Sequence, residues 1–225
     1  MTTRKDSAAA DGPASAATAV DHLLLGIADL DRGIDWVEKT TGVRAAVGGT
    51  HPGMGTRNAL LSLGGRRYLE IIAPDPAQKE FRFSIDVRKL AEPRLITWSA
   101  GTTDIEGLAK KARSAGLEVF GPRDGSRARP DGRTLAWKTF GIRSAHGADG
   151  VEPIPFFIQW DAGSVHPSQD SPAGCDLEEL ALEHPRPAEV AATLEKLGIR
   201  AQVKTAEKAR LTARLRTPKG TVRLS

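Results

Sequence analysis

Hydrophobic and polar positions along the chain recur in one order: an apolar strand, a polar turn, a helix with one apolar face, a glycine, then further strands. The first copy has an apolar run at 19–26, with Asp29 placed as a helix N-cap. Leu30, Ile34 and Val37 follow at helical spacing, and Gly42 stops the helix. The second has a strand at 94–100, the capping-box sequence Thr103-Asp104-Ile105-Glu106, an inward face of Ile105, Leu108 and Ala112, and a stop at Gly116. The third has a strand at 177–183, Pro187 at the helix start, a stripe of Val190, Leu194 and Leu197, and a stop at Gly198.

Each stop glycine is followed by material for three strands. These are 44–48, 57–63 and 67–73 in the first copy, the last two joined by the hairpin signal Gly64-Gly65. They are 117–120, 133–140 and 154–160 in the second, and 200–204, 210–216 and 221–224 in the third, with a turn at Pro218-Lys219-Gly220. The pattern predicts an α+β protein of paired βαβββ modules with a third βαβββ-like unit. The expected divisions are 1–19 as a disordered Ala/Ser-rich tail, 20–92 and 93–170 as the two modules, and 176–225 as the third unit.

Composition narrows this modestly. Hydrophobic residues make up 40% of the 225, enough for a core, which excludes a wholly disordered chain. The net charge of +4 permits an anionic ligand, but no basic stripe interleaved with aromatics marks a nucleic-acid surface. The excess is concentrated in a basic loop expected at 123–133 and in residues 200–223. Cys175 is the one cysteine, which excludes an internal disulfide framework and a cysteine zinc site and fits a reducing cytoplasm. No apolar run approaches the ~20 residues of a membrane-spanning helix, so no membrane partner is expected.

Glu70 is the sharpest local anomaly, a carboxylate in the aliphatic strand Tyr68-Leu69-Glu70-Ile71-Ile72. Alternation puts it on one face with Tyr68 and Ile72, and an enclosed carboxylate there needs a metal, a cation or several donors. His22 opens the first strand on the face of Leu24 and Gly26. One imidazole and one carboxylate in a shared concave space would be part of an open metal site. Gln159 takes the place matching Glu70 in the second unit, as a metal ligand or a hydrogen-bonding group for substrate. The glycine-rich stretch Gly48-Gly49-Thr50-His51-Pro52-Gly53-Met54-Gly55 is expected to be a loop offering backbone N–H groups and the His51 imidazole to an oxyanion, with Asn58 close behind. It lacks the phosphate-loop and dinucleotide fingerprints, so no nucleotide cofactor is expected. Arg127 and Arg129 are suited to an anionic tail, and Trp137 to the wall of an apolar pocket. His146, His166 and His184 lie in loops or beside prolines without metal-ligand spacing.

Taken together, Asp21-His22-Leu23-Leu24-Leu25-Gly26, the Gly49–Asn58 stretch, Tyr68-Leu69-Glu70, Ser126-Arg127-Ala128-Arg129-Pro130-Asp131-Gly132 and Phe156-Phe157-Ile158-Gln159-Trp160 resemble the glyoxalase-like branch of the vicinal oxygen chelate superfamily. The likeness covers most of residues 20–170, and Glu183-His184-Pro185 extends it. It implies two modules paired into a U-shaped mixed sheet around a small-molecule cavity where, in many members, a divalent cation such as Zn, Ni, Mn or Fe chelates two substrate oxygens. By position His22 and Glu70 match ligand places of the first module and Gln159 one of the second, while the place near Thr97 is unmatched. The superfamily spans lyases, isomerases, ring-cleaving dioxygenases and metal-free binders.

Two readings follow. In the first, a metal-assisted enzyme has Glu70 or His51 shuttling protons while arginines hold an anionic tail. In the second, a metal-free protein binds or sequesters a small molecule. A third is a protein–protein adaptor in which the third unit completes a sheet across a homodimer.

Overall fold

A computed structural model of the chain describes residues 14–225 except 129–131 and 133; Arg129 therefore lies outside the described residues. The chain begins with β1 (Ala14–Ser15) and a single helical turn, α1 (Ala16–Ala19). The first module is β2 (Val20–Gly26), α2 (Leu30–Thr41), β3 (Ala46–His51), β4 (Thr56–Ser62) and β5 (Tyr68–Pro74). The second is β6 (Arg94–Gly101), α3 (Ile105–Ser114), β7 (Val119–Ala128), β8 (Thr134–Ile142) and β9 (Phe156–Trp160). The C-terminal unit is β10 (Asp176–His184), α4 (Pro187–Lys196), β11 (Ile199–Arg200), β12 (Val203–Thr205), β13 (Arg210–Thr217) and β14 (Gly220–Leu224).

Helix ends follow local chemistry. Asp29 accepts the Arg32 N–H at 3.1 Å to start α2, and Gly42 ends it in the left-handed region. The cap of α3 is Asp104 rather than the expected Thr103: its carboxylate accepts the Gly107 N–H at 2.9 Å. The expected basic loop is largely strand, since Arg123 to Ala128 pair along β8. Residues 14–19 of the expected tail are part of the fold, because β1 pairs in parallel with β11.

Eight strands form one mixed sheet in the order β3-β4-β5-β2-β6-β9-β8-β7. In each half the first strand pairs in parallel with the last, β2 with β5 and β6 with β9, and the halves join antiparallel through β2 and β6. The sheet curls until its edge strands β3 and β7 approach each other. Alternation assigns the two faces: Leu23, Leu25, Leu69 and Ile71 enter the core beneath the helices with Ile34 and Val37. On the concave face Leu24, Ile72, Ile96 and Phe156 form a separate apolar cluster. The connection between modules lays Phe81, Phe83, Ile85 and Val87 on that cluster and fills this half of the U.

The C-terminal unit repeats the element order of the modules but not their topology. Its sheet runs β12-β10-β13-β14, with the first strand internal and paired in parallel to β12. The strand that follows α4 and β11, β12, pairs directly with β10, whereas in each module the strand after the helix lies at the far edge of the sheet. Its apolar face, including Leu177, Leu182, Leu211 and Leu215, shares one core with Leu23 and Trp98, and β13 packs against β6. Its arginines are laddered against acids (Arg214 with Glu178 and Glu179, Arg216 with Asp176), so much of the C-terminal basic excess is paired. Among the described residues, no helix is long and apolar enough to cross a membrane.

Candidate functional site

The polar half of the concave face is built from five strands. His22 on β2 lies one strand from β5, whose Glu70 pairs with Leu24, and β4 brings Asn58 opposite Ile72. His51 ends β3, opposite Thr56. Arg127 reaches in from β7, at the far end of the sheet, and its guanidinium donates to Asn58 Oδ1 at 2.8 Å. That bond closes the mouth of the U. Gly48 permits it, because a Cβ at that position would overlap both Asn58 Oδ1 and Arg127 Nη1.

Glu70 is 7% exposed and fully engaged on one side: Asn58 Nδ2 donates to its Oε1 at 2.6 Å, and His51 Nε2 stands 3.4 Å from the same oxygen. Its Oε2 faces His22 Nε2 at 3.6 Å. Burial alone would raise the Glu70 pKa, but His51, His22, the Asn58 hydrogen bond and Arg127 together hold it below its ordinary value, so the carboxylate is ionised. Burial lowers the His51 pKa against the pull of Glu70. His51 is then a neutral imidazole, with Nδ1 2.8 Å from Thr56 Oγ1.

The expected role of the glycine-rich stretch changes. Its amides are occupied: Gln78 Oε1 accepts the N–H groups of Gly53 (2.9 Å) and Gly55 (3.3 Å), and Gln78 is itself held by Asp75. The stretch fixes His51 instead of offering a nest to an oxyanion.

Behind His22 lies a group that the sequence reading passed over. Asp21 Oδ1 takes a 2.7 Å bond from His22 Nδ1, and its Oδ2 takes bonds from Trp160 Nε1 and His166 Nε2, both at 3.1 Å. Burial opposes ionisation of Asp21, yet these two imidazoles hold its pKa far below the usual carboxylate range. His166, set aside as a loop histidine, is completely buried, and its Nδ1 accepts the Ser168 N–H at 3.3 Å. With Nδ1 of His22 committed to Asp21, Nε2 is the nitrogen that can exchange a proton beside Glu70. Tyr68 stacks on the His22 ring at 4.5 Å, and Trp137 meets Trp160 at 5.4 Å on the same concave wall. His146 and His184 lie elsewhere, docking the C-terminal unit through Thr193 and the His146 carbonyl.

Gln159 does not join the site. Its Oε1 accepts the Ile105 N–H at 2.8 Å, capping α3 on the helix side of the sheet. The register explains why: Gly26 and Gly101 end equivalent strands, so Leu24 corresponds to Ser99, and their parallel partners Glu70 and Phe156 correspond to each other. Thr97 likewise corresponds to His22. The second module thus offers one hydroxyl and one phenyl ring where the first offers an imidazole and a carboxylate. Among the described residues, no group of three or more His, Cys, Asp or Glu is placed to hold a metal ion. The residues present do not fit the divalent centre that the resemblance implies.

A family model described as a glyoxalase-like domain matches residues 20–198. No curated protein matches the sequence. Among solved structures, a hypothetical protein from Staphylococcus aureus is similar at a TM-score of 0.65 and 18% identity, over 85% of this chain and 87% of that one. Methylmalonyl-CoA epimerase from Mycobacterium tuberculosis is similar at a TM-score of 0.45 and 19% identity, over 68% of this chain and 92% of that one. The Staphylococcus aureus likeness is one of fold.

Proposed function

The chain belongs to the glyoxalase-like domain family, and on that premise we propose that it binds a small oxygen-bearing or anionic molecule on the concave face and moves a proton on it, as an isomerase or lyase does. The reading rests on one observation: Glu70 is ionised and buried, with Oε1 satisfied by Asn58 and Oε2 turned toward His22. A carboxylate held in this way is a base whose proton has a second stop, His22 Nε2, while Asp21 stabilises the imidazolium that forms. Arg127 places a cation at the closed mouth, where an anionic group of the ligand would compete for it with Asn58. His51, uncharged and beside Oε1, is a second proton acceptor, and Trp137 forms part of the wall. No step is assigned to a metal, because Thr97 and Phe156 do not complete a ligand set.

A binding protein without catalysis is the second reading, favoured by the continuous bridge Arg127–Asn58–Glu70, which engages one carboxylate oxygen in a structural contact. Solvent-exchange NMR separates the two. A panel of 2-oxo acids, 2-hydroxy ketones and thioesters is incubated in D2O with wild type and Glu70→Gln. Loss of a carbon-bound proton signal with wild type alone supports proton transfer. Ligand-induced resonance shifts without exchange in either protein would leave only binding.

A further inference from the structure

Ser99 is completely buried, and its hydroxyl has no hydrogen-bond partner. It is opposite His22 across β2 and β6, and beside Phe156 across β6 and β9. Directly paired residues share a face, so the hydroxyl belongs to the concave side between those two rings. A buried hydroxyl left unpaired is destabilising, and a fold normally avoids it with a partner or a ligand.

Ser99 does not itself line a cavity, but its partner Phe156 does: with Thr97, Phe83, Phe120, Ile142 and Gly141 it lines one of about 590 Å3. This size suits a small organic ligand. Phe120, a large apolar side chain that remains well exposed, lines it. Its charged lining residues, Asp86, Asp149 and Glu152, are all acidic, so an anionic group is disfavoured at this end. Phe156 is common to both places: it lines the cavity, and its ring meets that of His22 edge-on at 5.4 Å.

We infer that this cavity seats the apolar body of the ligand and that Ser99 is a binding residue whose hydroxyl donates to the ligand's carbonyl or carboxylate oxygen, reached by rotation of the Phe156 ring. The ligand class is then a small carbonyl compound or oxo acid with an aryl or branched-alkyl substituent, its oxygen-bearing head at Ser99 and His22 and its substituent toward Phe120. This deepens the proton-transfer reading by naming the substrate class, and its binding component stands independently of catalysis.

Calorimetric titration with phenylpyruvate and with pyruvate, which has the same head without the ring, tests it. Wild type is expected to bind phenylpyruvate at least about tenfold more tightly than pyruvate. Gly141→Leu fills the cavity from a position where an added Cβ meets nothing within 4 Å, and is expected to erase that preference while the fold is retained. Ser99→Ala is expected to weaken both ligands on the order of tenfold. Thermal melts of each variant confirm folding. Failure of both ligands to bind, a ring preference surviving in Gly141→Leu, or unchanged affinity in Ser99→Ala would each overturn the inference. If phenylpyruvate binds as described and no carbon-bound proton exchanges, the proton-transfer reading falls and the ligand assignment stands.

Discussion

Asp21 accepts a 2.7 Å hydrogen bond from His22, its immediate neighbour in the same strand. Adjacent residues in a regular strand point to opposite faces. A register shift between Val20 and His22 on β2 turns the two side chains toward each other, and Trp160 and His166 complete the carboxylate's shell. His22 is thereby fixed in one ring orientation with Nε2 toward Glu70.

Asp21→Asn should therefore both destabilise the protein and reorient the imidazole. An amide cannot accept from two imidazoles and an indole, so a loss of about 2–4 kcal/mol is expected in denaturant unfolding. Nitrogen chemical shifts of His22 report the second effect: the proton resides on Nδ1 in wild type and redistributes toward Nε2 in the variant. An unchanged midpoint would contradict the assignment.

Stability should fall with acid in two stages. His51 has its pKa lowered in the fold, so below its ordinary 6.5 the unfolded chain binds more protons and unfolding is favoured as pH drops. Glu70 has its pKa lowered from 4.5, so its contribution is fully present above that pH and is lost as pH falls through the folded value. Asp21 behaves in the same way at lower pH. Urea midpoints measured from pH 8 to 3 should decline throughout the acid range, and the limb below 4.5 should flatten in Glu70→Gln.

Gly48→Ala should act at a distance on Arg127. The new methyl would overlap the Asn58–Arg127 contact, and relieving that costs about 1–3 kcal/mol. Gly141→Ala, with open space at its Cβ, is the matched control and should leave the unfolding midpoint within about 0.5 kcal/mol of wild type. Equal effects of the two would refute the bridge at the mouth of the U.

Gln78→Ala should loosen the segment that carries His51 without touching His51 itself. Two amides, those of Gly53 and Gly55, lose their acceptor. Hydrogen exchange at these two positions is expected to rise by at least about tenfold, with little change in β2 or β5.

The fold was legible because helix punctuation is local: Asp29 caps with its own carboxylate, Gly42, Pro187 and Gly198 act through their own backbone, and all four stand where the sequence places them. The repeated order of strand, helix and strands followed from such signals. Glu70 was legible because a carboxylate among aliphatics conflicts with its surroundings. What stayed hidden depends on register. A frame three residues off carried Gln159 into the site, whereas the pairing of Ser99 with Phe156 puts a phenyl ring at that place. Asp21 was hidden by strand alternation, which a single register shift overrides. His166 was hidden because 145 residues separate it from Asp21. The strand order of the C-terminal unit depends on which side of β10 the returning chain takes, and apolar periodicity is the same for both sides.

The position of β2 in the sheet also sets an order in time. Its neighbours are β5 and β6, both made later, and the former pairs with it only after a helix and two further strands have formed. Such non-local parallel pairing is slow to form. His22 thus leaves the ribosome early and waits for Glu70, then for Ser99, Arg127, Trp160 and finally His166. The chemistry-bearing strand precedes every strand that encloses it, so a chain interrupted before residue 166 would carry most of the sheet around an incompletely held histidine.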